Sequence, residues 1–498
     1  MARADRSRRD LVLLALGVVA VRLVAAYAIP LTEDEAYYRL WAQHLQLGYL
    51  DHPPMIAWWI RAGETVFGDT PLGIRLVPAL ASGLTTWLIG DLTERLGASR
   101  RTALRAALWY NATLTVCLGG MLAIPDAPAS LFWTLTLWAL GHFWADRRAV
   151  WWLAAGATAG LAVLSKYSGL FLAPGVLLWL LLISGGRAEL RRPWPWAAAA
   201  LAALVFSANV AWNAENHWLT FVKQFGRVAP HGVDLSHVAD LIVTQILVFT
   251  PPMALYAGLG VRQAWRERGQ AGAVQLMLPL MTSVPFAAYL LIHSLHDRVQ
   301  GHWPVPLFGA LAICAAVAAD RFADTGRARL VRRLTPAVGL AIGAAAFVLA
   351  ALPSARFLGR FDPTLPLRGW PQFAADVEQA RARTGAAWVG TESYGVYAQL
   401  NNAGRIRAPL LQAVERDRYW TTDERPDFTR PGLVVDLARR MKVPDVQRCF
   451  TSVTPVADLT RAGGPSRNQR YTAYLVSGPR RDVWIQGCPD EIAPGVWR

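Results

Sequence analysis

Long apolar runs alternate with short polar links along the first 352 residues. Several runs are near the lower end of the length that crosses a membrane as a helix, roughly 17–25 residues. They occupy 11–29, 72–90, 103–123, 127–144, 150–165, 168–184, 195–212, 237–260, 273–292, 303–319 and 335–352. The pattern predicts an all-α polytopic membrane domain over 1–352, with about eleven transmembrane helices.

The pattern changes after Leu352. Short β-type runs at 387–390, 432–436 and 471–476 alternate with helical patterns at 371–383, 393–402 and 444–449. Strands separated by amphipathic helices are typical of an α/β domain. Residues 353–498 are therefore predicted to form a small C-terminal α/β domain.

The distribution of charge predicts the orientation of the chain in the membrane. The chain is 54% hydrophobic with a formal net charge of +15, and most Arg residues fall in short clusters between alternate apolar runs. Such clusters mark cytoplasmic loops, and they argue against a nucleic-acid partner. The first run could be a signal peptide, but it lacks a small-residue cleavage site. We expect a cytoplasmic N-terminus, a multi-pass protein of the cytoplasmic (inner) membrane, and an extracytoplasmic domain 353–498.

The predicted first outer loop, 30–71, contains an acidic and aromatic segment at 32–59. Thr32 and Glu35 fit a capping box that starts a short helix, and Gly48 fits its end. Tyr37, Tyr38, Leu40, Trp41 and Leu45 form an amphipathic face suited to the membrane interface. The box leaves Asp34 available for chemistry, although the acids could simply favour the positive end of the helix dipole.

Later outer links add charged side chains. Asp126 lies between Pro125 and Pro128, where it could be a helix cap or a second catalytic carboxylate. Lys166 is one of only three lysines, at the mouth of two predicted spans. Its ammonium suits a phosphate oxygen, and the alternative is a lysine that snorkels to the interface. Arg227, Arg298 and His302 make the same surface basic, as a lipid phosphate requires.

These residues carry a family resemblance. Asp34-Glu35-Ala36-Tyr37-Tyr38, Asp51-His52-Pro53-Pro54, Phe67-Gly68 and Gly73-x-Arg75 resemble the first outer loop of glycosyltransferase family 39/83. The segments 122–128 and 164–167 resemble later landmarks of that family, in the same order. The resemblance covers 11–320. It implies a GT-C fold and a polyprenyl-phosphate-linked sugar as donor.

The resemblance also implies residue roles. Asp34 matches the acidic residue that activates the acceptor, Asp126 the second acidic residue, and Lys166 the basic residue after the fifth span. We expect Asp34 and Asp126 to be catalytic. The residues expected to bind the donor phosphate are Lys166, His52, Arg227 and Arg298. Those expected to bind substrate are Glu35, Tyr37, Tyr38, Asp51 and His302.

The chain departs from the aminoarabinose branch of that family. Asp51-His52 stands where that branch has Glu-Lys, and Tyr37 stands where Arg is usual. The resemblance therefore does not identify the sugar. Asp51 and His231 are a candidate pair of ligands for a divalent metal, and no other cofactor is predicted. Cys449 and Cys488 share the polar C-terminal part, so we expect a disulfide between them.

The function expected from this combination is transfer of a sugar from a polyprenyl-phosphate carrier to an acceptor hydroxyl on lipid A, a cell-envelope glycan or a protein. One alternative is a transporter or flippase of lipid-linked sugars, but transporters place ionisable residues near mid-membrane. Here the acids cluster at one predicted face. Another alternative is a structural or partner-binding membrane subunit.

Overall fold

The computed structural model describes residues 2–226, 232–268, 274–321, 326–352, 356–413, 418, 425–461, 469–486 and 488. The chain divides into two compact units. The helical unit comprises 1–27 and 52–347, and the C-terminal unit comprises 28–51 and 348–498. The segment 28–51, which holds half of the predicted first outer loop, therefore folds with the C-terminal unit.

Helices form most of the described chain. In chain order they are α1 Ala2–Ala28, α2 Glu33–Gln43, α3 Met55–Phe67, α4 Pro71–Arg95, α5 Arg100–Ala112, α6 Leu114–Gly119, α7 Asp126–Asp146, α8 Val150–Ser165, α9 Leu172–Leu182, α10 Gly186–Glu189, α11 Pro193–Glu215, α12 Leu219–Gly226, α13 Leu235–Phe249, α14 Pro251–Arg266, α15 Val274–His293, α16 Val305–Arg321, α17 Gly326–Ala351, α18 Trp370–Thr384, α19 Tyr394–Ala403, α20 Val443–Cys449 and α21 Val483–Gln486. Short 3₁₀ helices occupy Tyr167–Phe171, Arg356–Phe361 and Leu365–Leu367.

Five of the described helices are long and apolar enough to cross a membrane: α1 from Arg8, α4, α11, α15 from Leu276, and α17. The bent pair of α13 and α14 would make a sixth span. The polytopic fold class is thus supported, while the count of about eleven spans is not confirmed. The difference arises where predicted runs fall on short or interrupted helices, such as α5 and α6 within 103–123.

The run 237–260, predicted as one span, falls on two helices of the structure. Helices α13 and α14 meet at a bend of 105°. Pro251 and Pro252 lack the N–H groups that would continue the hydrogen bonds of α13. Thr250 adopts a φ of 65° at the corner, and its N–H turns back to the carbonyl of Leu247.

The helical unit packs around fully buried aromatic side chains, including Trp109, Trp133 and Trp179. Small residues allow its helices to approach closely. A Cβ added to Gly156 of α8 would lie 2.3 Å from the carbonyl oxygen of Ala198 in α11. The close approach of these two helices therefore requires glycine at this position.

The described part of the C-terminal unit contains a five-stranded sheet in the order β2-β1-β3-β5-β4. Its strands are β1 Trp388–Thr391, β2 Leu410–Gln412, β3 Gly432–Leu437, β4 Phe450–Thr460 and β5 Arg470–Pro479. Strand β1 pairs in parallel with β2 and β3, whereas β5 runs antiparallel to β3 and β4. The mixed sheet confirms the predicted small α/β fold.

The predicted β-runs correspond to β1, β3 and β5, and the predicted helices to α18, α19 and α20. Strands β2 and β4 were not predicted. Strand β4 is mostly exposed, so its sequence does not have the apolar pattern by which a buried strand is predicted. The Cys449–Cys488 disulfide is present and confirms that prediction; it joins α20 to the segment after α21.

Candidate functional site

Helix α2 begins with the predicted capping box. The amide of Glu35 donates to Thr32 Oγ1 at 3.2 Å, and the amide of Thr32 donates to Glu35 Oε2 at 3.0 Å. Two free donors of the first turn are thereby satisfied. The fully buried Glu35 carboxylate supports the start of the helix, and its contact with substrate stays a prediction.

Two predictions about α2 were wrong. The helix ends at Gln43 with His44 as its cap, before Gly48. Its aromatic face was expected in the membrane interface, but Tyr37, Tyr38 and Trp41 are buried within the C-terminal unit. The face packs on protein because aromatic partners surround it: Tyr394 contacts Tyr37, and Tyr49 stacks on Trp41 with ring centroids 4.2 Å apart.

Asp34 lies in the first turn of α2 and is half-buried. The phenol of Tyr394, the first residue of α19, donates a hydrogen bond of 2.8 Å to Asp34 Oδ1. Two further hydrogen bonds join this segment to α19: Arg39 of α2 donates to Asn401, and Gln399 donates to the carbonyl of Leu31, which precedes α2. The carboxylate is thus oriented by a neutral donor on a well-anchored helix pair.

Asp51 has a different environment in the same unit. It accepts a hydrogen bond of 2.7 Å from the Tyr37 phenol and forms a buried ion pair with Arg418. The Arg418 guanidinium also lies over the Tyr394 ring, 4.7 Å from its centroid. Burial, and then the Asp51 charge, raise the pKa of Tyr37 well above its usual value. Tyr37 is therefore a neutral donor, and Asp51 is held as a charged acceptor.

The sheet fixes the start of α19. At the carboxyl end of β3, Asp436 accepts hydrogen bonds from the backbone N–H groups of Glu392 and Ser393, which follow β1. These bonds orient the turn that presents Tyr394. The carboxyl ends of parallel strands are the usual place for ligand sites in α/β sheets. Burial raises the pKa of Glu392 at this edge to about 7.

A second acidic site lies in the helical unit. Asp126 is the first residue of α7 and is buried, 7% exposed. Lys166 follows α8 in an extended conformation, and its Nζ is 2.7 Å from Asp126 Oδ1. His302 Nε2 lies 3.9 Å from Asp126 Oδ2. The structure thus brings together three residues that are far apart in sequence.

The charges around Asp126 determine its protonation state. Burial alone would raise its pKa, but Lys166, His302 and His52 act in the opposite direction and the net effect is a lowered pKa. Asp126 is therefore a carboxylate at neutral pH. Asp126 is buried and Lys166 is partly buried, so the ammonium compensates much of the buried negative charge.

The remaining predicted residues have different outcomes. Arg298 is exposed, and its described ion pair, at 4.0 Å, is with Asp240. Arg227 and His231 lie outside the described residues, so the Asp51–His231 metal pair cannot be described. Across the described ranges, no group of three or more His, Cys, Asp or Glu side chains could hold a metal ion.

Sequence reasoning missed Tyr394 and Arg418. Tyr394 had a usable signal, because it starts a predicted helix directly after a predicted strand, where ligand-site residues often lie. Arg418 had none: it is one of many arginines in a segment without periodicity. Only the fold shows that it reaches Asp51.

Comparison with known proteins supports the resemblance. Residues 51–212 match the family described as dolichyl-phosphate-mannose-protein mannosyltransferase. The chain is 28% identical over 319 residues to the lipid A galacturonosyltransferase RgtD of Rhizobium johnstonii, covering 62% of this chain and 65% of that protein. It is 27% identical over 308 residues to an undecaprenyl phosphate-alpha-4-amino-4-deoxy-L-arabinose arabinosyl transferase of Pseudomonas fluorescens, covering 55% and 54%. The matched regions thus span roughly half to two thirds of these relatives.

The fold is that of ArnT from Cupriavidus metallidurans. The apo structure of that protein superposes with a TM-score of 0.58 at 17% identity, over 93% of this chain and 98% of ArnT. The structure of the same protein bound to undecaprenyl phosphate gives a TM-score of 0.55. The chain therefore has the predicted GT-C-like fold of a multi-pass membrane protein.

Proposed function

We propose that this chain is a glycosyltransferase of the polyprenyl-phosphate-sugar-dependent family, which moves a sugar from the lipid carrier to an acceptor hydroxyl. The observation that carries the proposal is the contact of Asp126 with Lys166 and His302. Asp126 and Lys166 were singled out by separate motifs, and both lie within the segment 51–212 that matches the family profile.

The reaction needs a base and a stabilised leaving group. The acceptor oxygen attacks the anomeric carbon, the bond from that carbon to the phosphate oxygen breaks, and the carrier leaves as polyprenyl phosphate. We assign Asp34 as the group that takes the acceptor proton. Inversion at the anomeric carbon is expected, because the reaction is a single displacement.

Lys166 is assigned to the departing phosphate. An ammonium has three N–H donors, and its described partner, Asp126, takes one of them. The other two can bind phosphate oxygens, where a fixed cation stabilises the charge that develops on the leaving group. His302, and His52 by its effect on Asp126, make this region more basic. Asp126 holds the Lys166 ammonium in place.

The orientation follows the distribution of arginine. We propose a cytoplasmic N-terminus and an extracytoplasmic C-terminal unit in the inner membrane, where the lipid carrier supplies the activated sugar. The acceptor would then be lipid A, another envelope glycan or a protein. The relatives suggest galacturonic acid and 4-amino-4-deoxy-L-arabinose as the first sugars to test.

The test uses the purified full-length chain with a panel of undecaprenyl-phosphate sugars and lipid A as acceptor. Mass spectrometry should detect the glycosylated acceptor together with free undecaprenyl phosphate. A nucleotide sugar without the lipid is the negative control. Glycolipid and surface-polymer profiles of a deletion strain extend the search for the acceptor. Movement of intact donor across vesicles without sugar transfer would contradict the proposal and favour a transporter.

A further inference from the structure

We propose that a pocket between α1, α4 and α5 binds the headgroup of an anionic phospholipid. The pocket has a volume of about 270 Å³ and lies where the N-terminal end of α1, the C-terminal end of α4 and the start of α5 meet. None of the residues assigned above to sugar transfer lines it. The proposal is therefore independent of the proposed activity.

Among the described residues that line this lipid pocket, three have guanidinium groups, Arg8, Arg95 and Arg100, and two have carboxylates. Arg95 binds Asp91 through Nε at 2.6 Å, and Arg100 binds Glu94 through Nε at 2.9 Å. Among the described side chains, which do not include those of residues 2–7, no acceptor contacts the Nη groups of Arg95 and Arg100 or the guanidinium of Arg8. A guanidinium has five N–H donors, so most donors in the pocket are available to an anion.

Apolar side chains favour a lipid over a free anion. Leu11, Val12, Trp87 and Leu104 form the other walls, and Val12 is 44% exposed on α1. Both α1 and α4 are candidate membrane spans. A phospholipid whose phosphate is bound by the arginines would thus have its acyl chains beside the apolar surface of the helices. Trp is also common at the membrane–water interface, where the phosphate would lie.

The charge pattern indicates which leaflet supplies the lipid. The arginines of this pocket belong to links that the positive-inside rule assigns to the cytoplasm. The cytoplasmic leaflet carries anionic lipids, which basic pockets between membrane helices bind. Each additional arginine near such a surface strengthens lipid binding by about fivefold, corresponding to about 1 kcal/mol.

The experiment titrates the purified full-length chain in detergent with dioleoyl phosphatidylglycerol, dioleoyl phosphatidylcholine or inorganic phosphate. Native mass spectrometry counts bound lipids, and the thermal unfolding midpoint reports stabilisation. Arg8→Gln tests the pocket. Arg9→Gln is the matched control, because it removes the same charge from the next residue of α1, which does not line the pocket.

We expect phosphatidylglycerol alone to bind saturably and raise the midpoint, with about fivefold weaker binding in Arg8→Gln and little change in Arg9→Gln. Equal weakening in both variants would overturn the proposal, because it would indicate general surface charge. Equal binding of phosphatidylcholine would also overturn it, as would full competition by inorganic phosphate, which would indicate a simple anion site.

Discussion

The described contacts of the two acidic sites differ. In the helical unit, Asp126 pairs with the Lys166 ammonium; in the C-terminal unit, Asp34 receives a hydrogen bond from the neutral Tyr394 phenol. A cation stabilises the charged carboxylate strongly and makes it a poor proton acceptor. A phenol orients a carboxylate without neutralising it. The proposal assigns the base to Asp34 and the phosphate-binding cation to Lys166, which Asp126 holds in place.

The largest effect should follow removal of the proposed base, Asp34. Asp34→Asn keeps the size of the side chain and its place in the first turn of α2, so the protein should remain folded. Turnover should fall by about 10²–10⁴-fold, the usual contribution of a general base. Steady-state transfer from a polyprenyl-phosphate sugar measures the change.

Glu33→Gln is the matched control, since Glu33 lies in the same first turn of α2. Burial raises the pKa of Glu33, so its neutral replacement should be tolerated with nearly normal turnover. Similar mild effects of both substitutions would show that the acids serve only the helix dipole. In that case Asp126 would become the better candidate for the base.

The ion pair of Asp126 with Lys166 gives the next largest effect. Lys166→Ala leaves the buried Asp126 carboxylate without its nearest cation, which should cost up to about 3 kcal/mol of stability, because His302 still lies near it. The lowered pKa of Asp126 means that the pair stabilises the protein at neutral pH. That contribution is lost as the pH falls through the lowered pKa, because the carboxylate is then protonated.

Lys223→Ala is the control for Lys166→Ala, because Lys223 lies on α12 outside this cluster. Adding Asp126→Asn to Lys166→Ala should restore part of the lost stability, since no uncompensated charge remains buried. Thermal unfolding of the single and double variants tests this coupling. If the two lysine variants lose stability and donor turnover equally, Lys166 has no specific role in the ion pair or in binding the donor phosphate.

The C-terminal unit should depend on its disulfide. Replacing Cys449 and Cys488 together by Ser should destabilise this unit by about 3–4 kcal/mol, given the 39-residue separation of the pair. Hydrogen exchange should then increase in the sheet and remain unchanged in α4 and α7. Equal increases in both regions would contradict the division of the chain into two cooperative units.

A smaller effect is expected from the phenol that orients Asp34. Tyr394→Phe removes one hydrogen bond to a charged group, so turnover should fall by about tenfold. The acidic limb of the pH–rate profile should move to higher pH, because the charged form of Asp34 loses a stabilising donor. Tyr474→Phe, in β5 of the same unit, is the control. An unchanged pH profile in Tyr394→Phe would exclude this orienting role.

The sequence predicted local features better than long-range ones. The capping box of Thr32 and Glu35 could be predicted because it depends on residues three positions apart. Strands β1, β3 and β5 were predicted from their short apolar runs. The burial of Tyr37 and Tyr38 could not be predicted, because the apolar face of an amphipathic helix can pack on a membrane or on protein. Its partner, α19, lies more than 350 residues later.

The same limit applies to the candidate site. Asp34, Asp126 and Lys166 stood out because they interrupt apolar sequence or differ from an arginine-rich background. Their partners depended on the fold: the Lys166 ammonium was predicted for phosphate, yet its described contact is Asp126. Arg418 reaches Asp51 across 367 residues of sequence, and no local pattern indicates such a pairing.

The most direct test of the division between the two sites is the equilibrium affinity for undecaprenyl phosphate, measured on folded Asp34→Asn and Lys166→Ala proteins. If Asp34 acts only on the acceptor, Asp34→Asn should bind this lipid as the unmodified chain does. Lys166→Ala should bind it at least about tenfold more weakly, because a charge-assisted contact to phosphate is lost. Normal affinity in Lys166→Ala together with weakened affinity in Asp34→Asn would contradict the account and reverse the two roles.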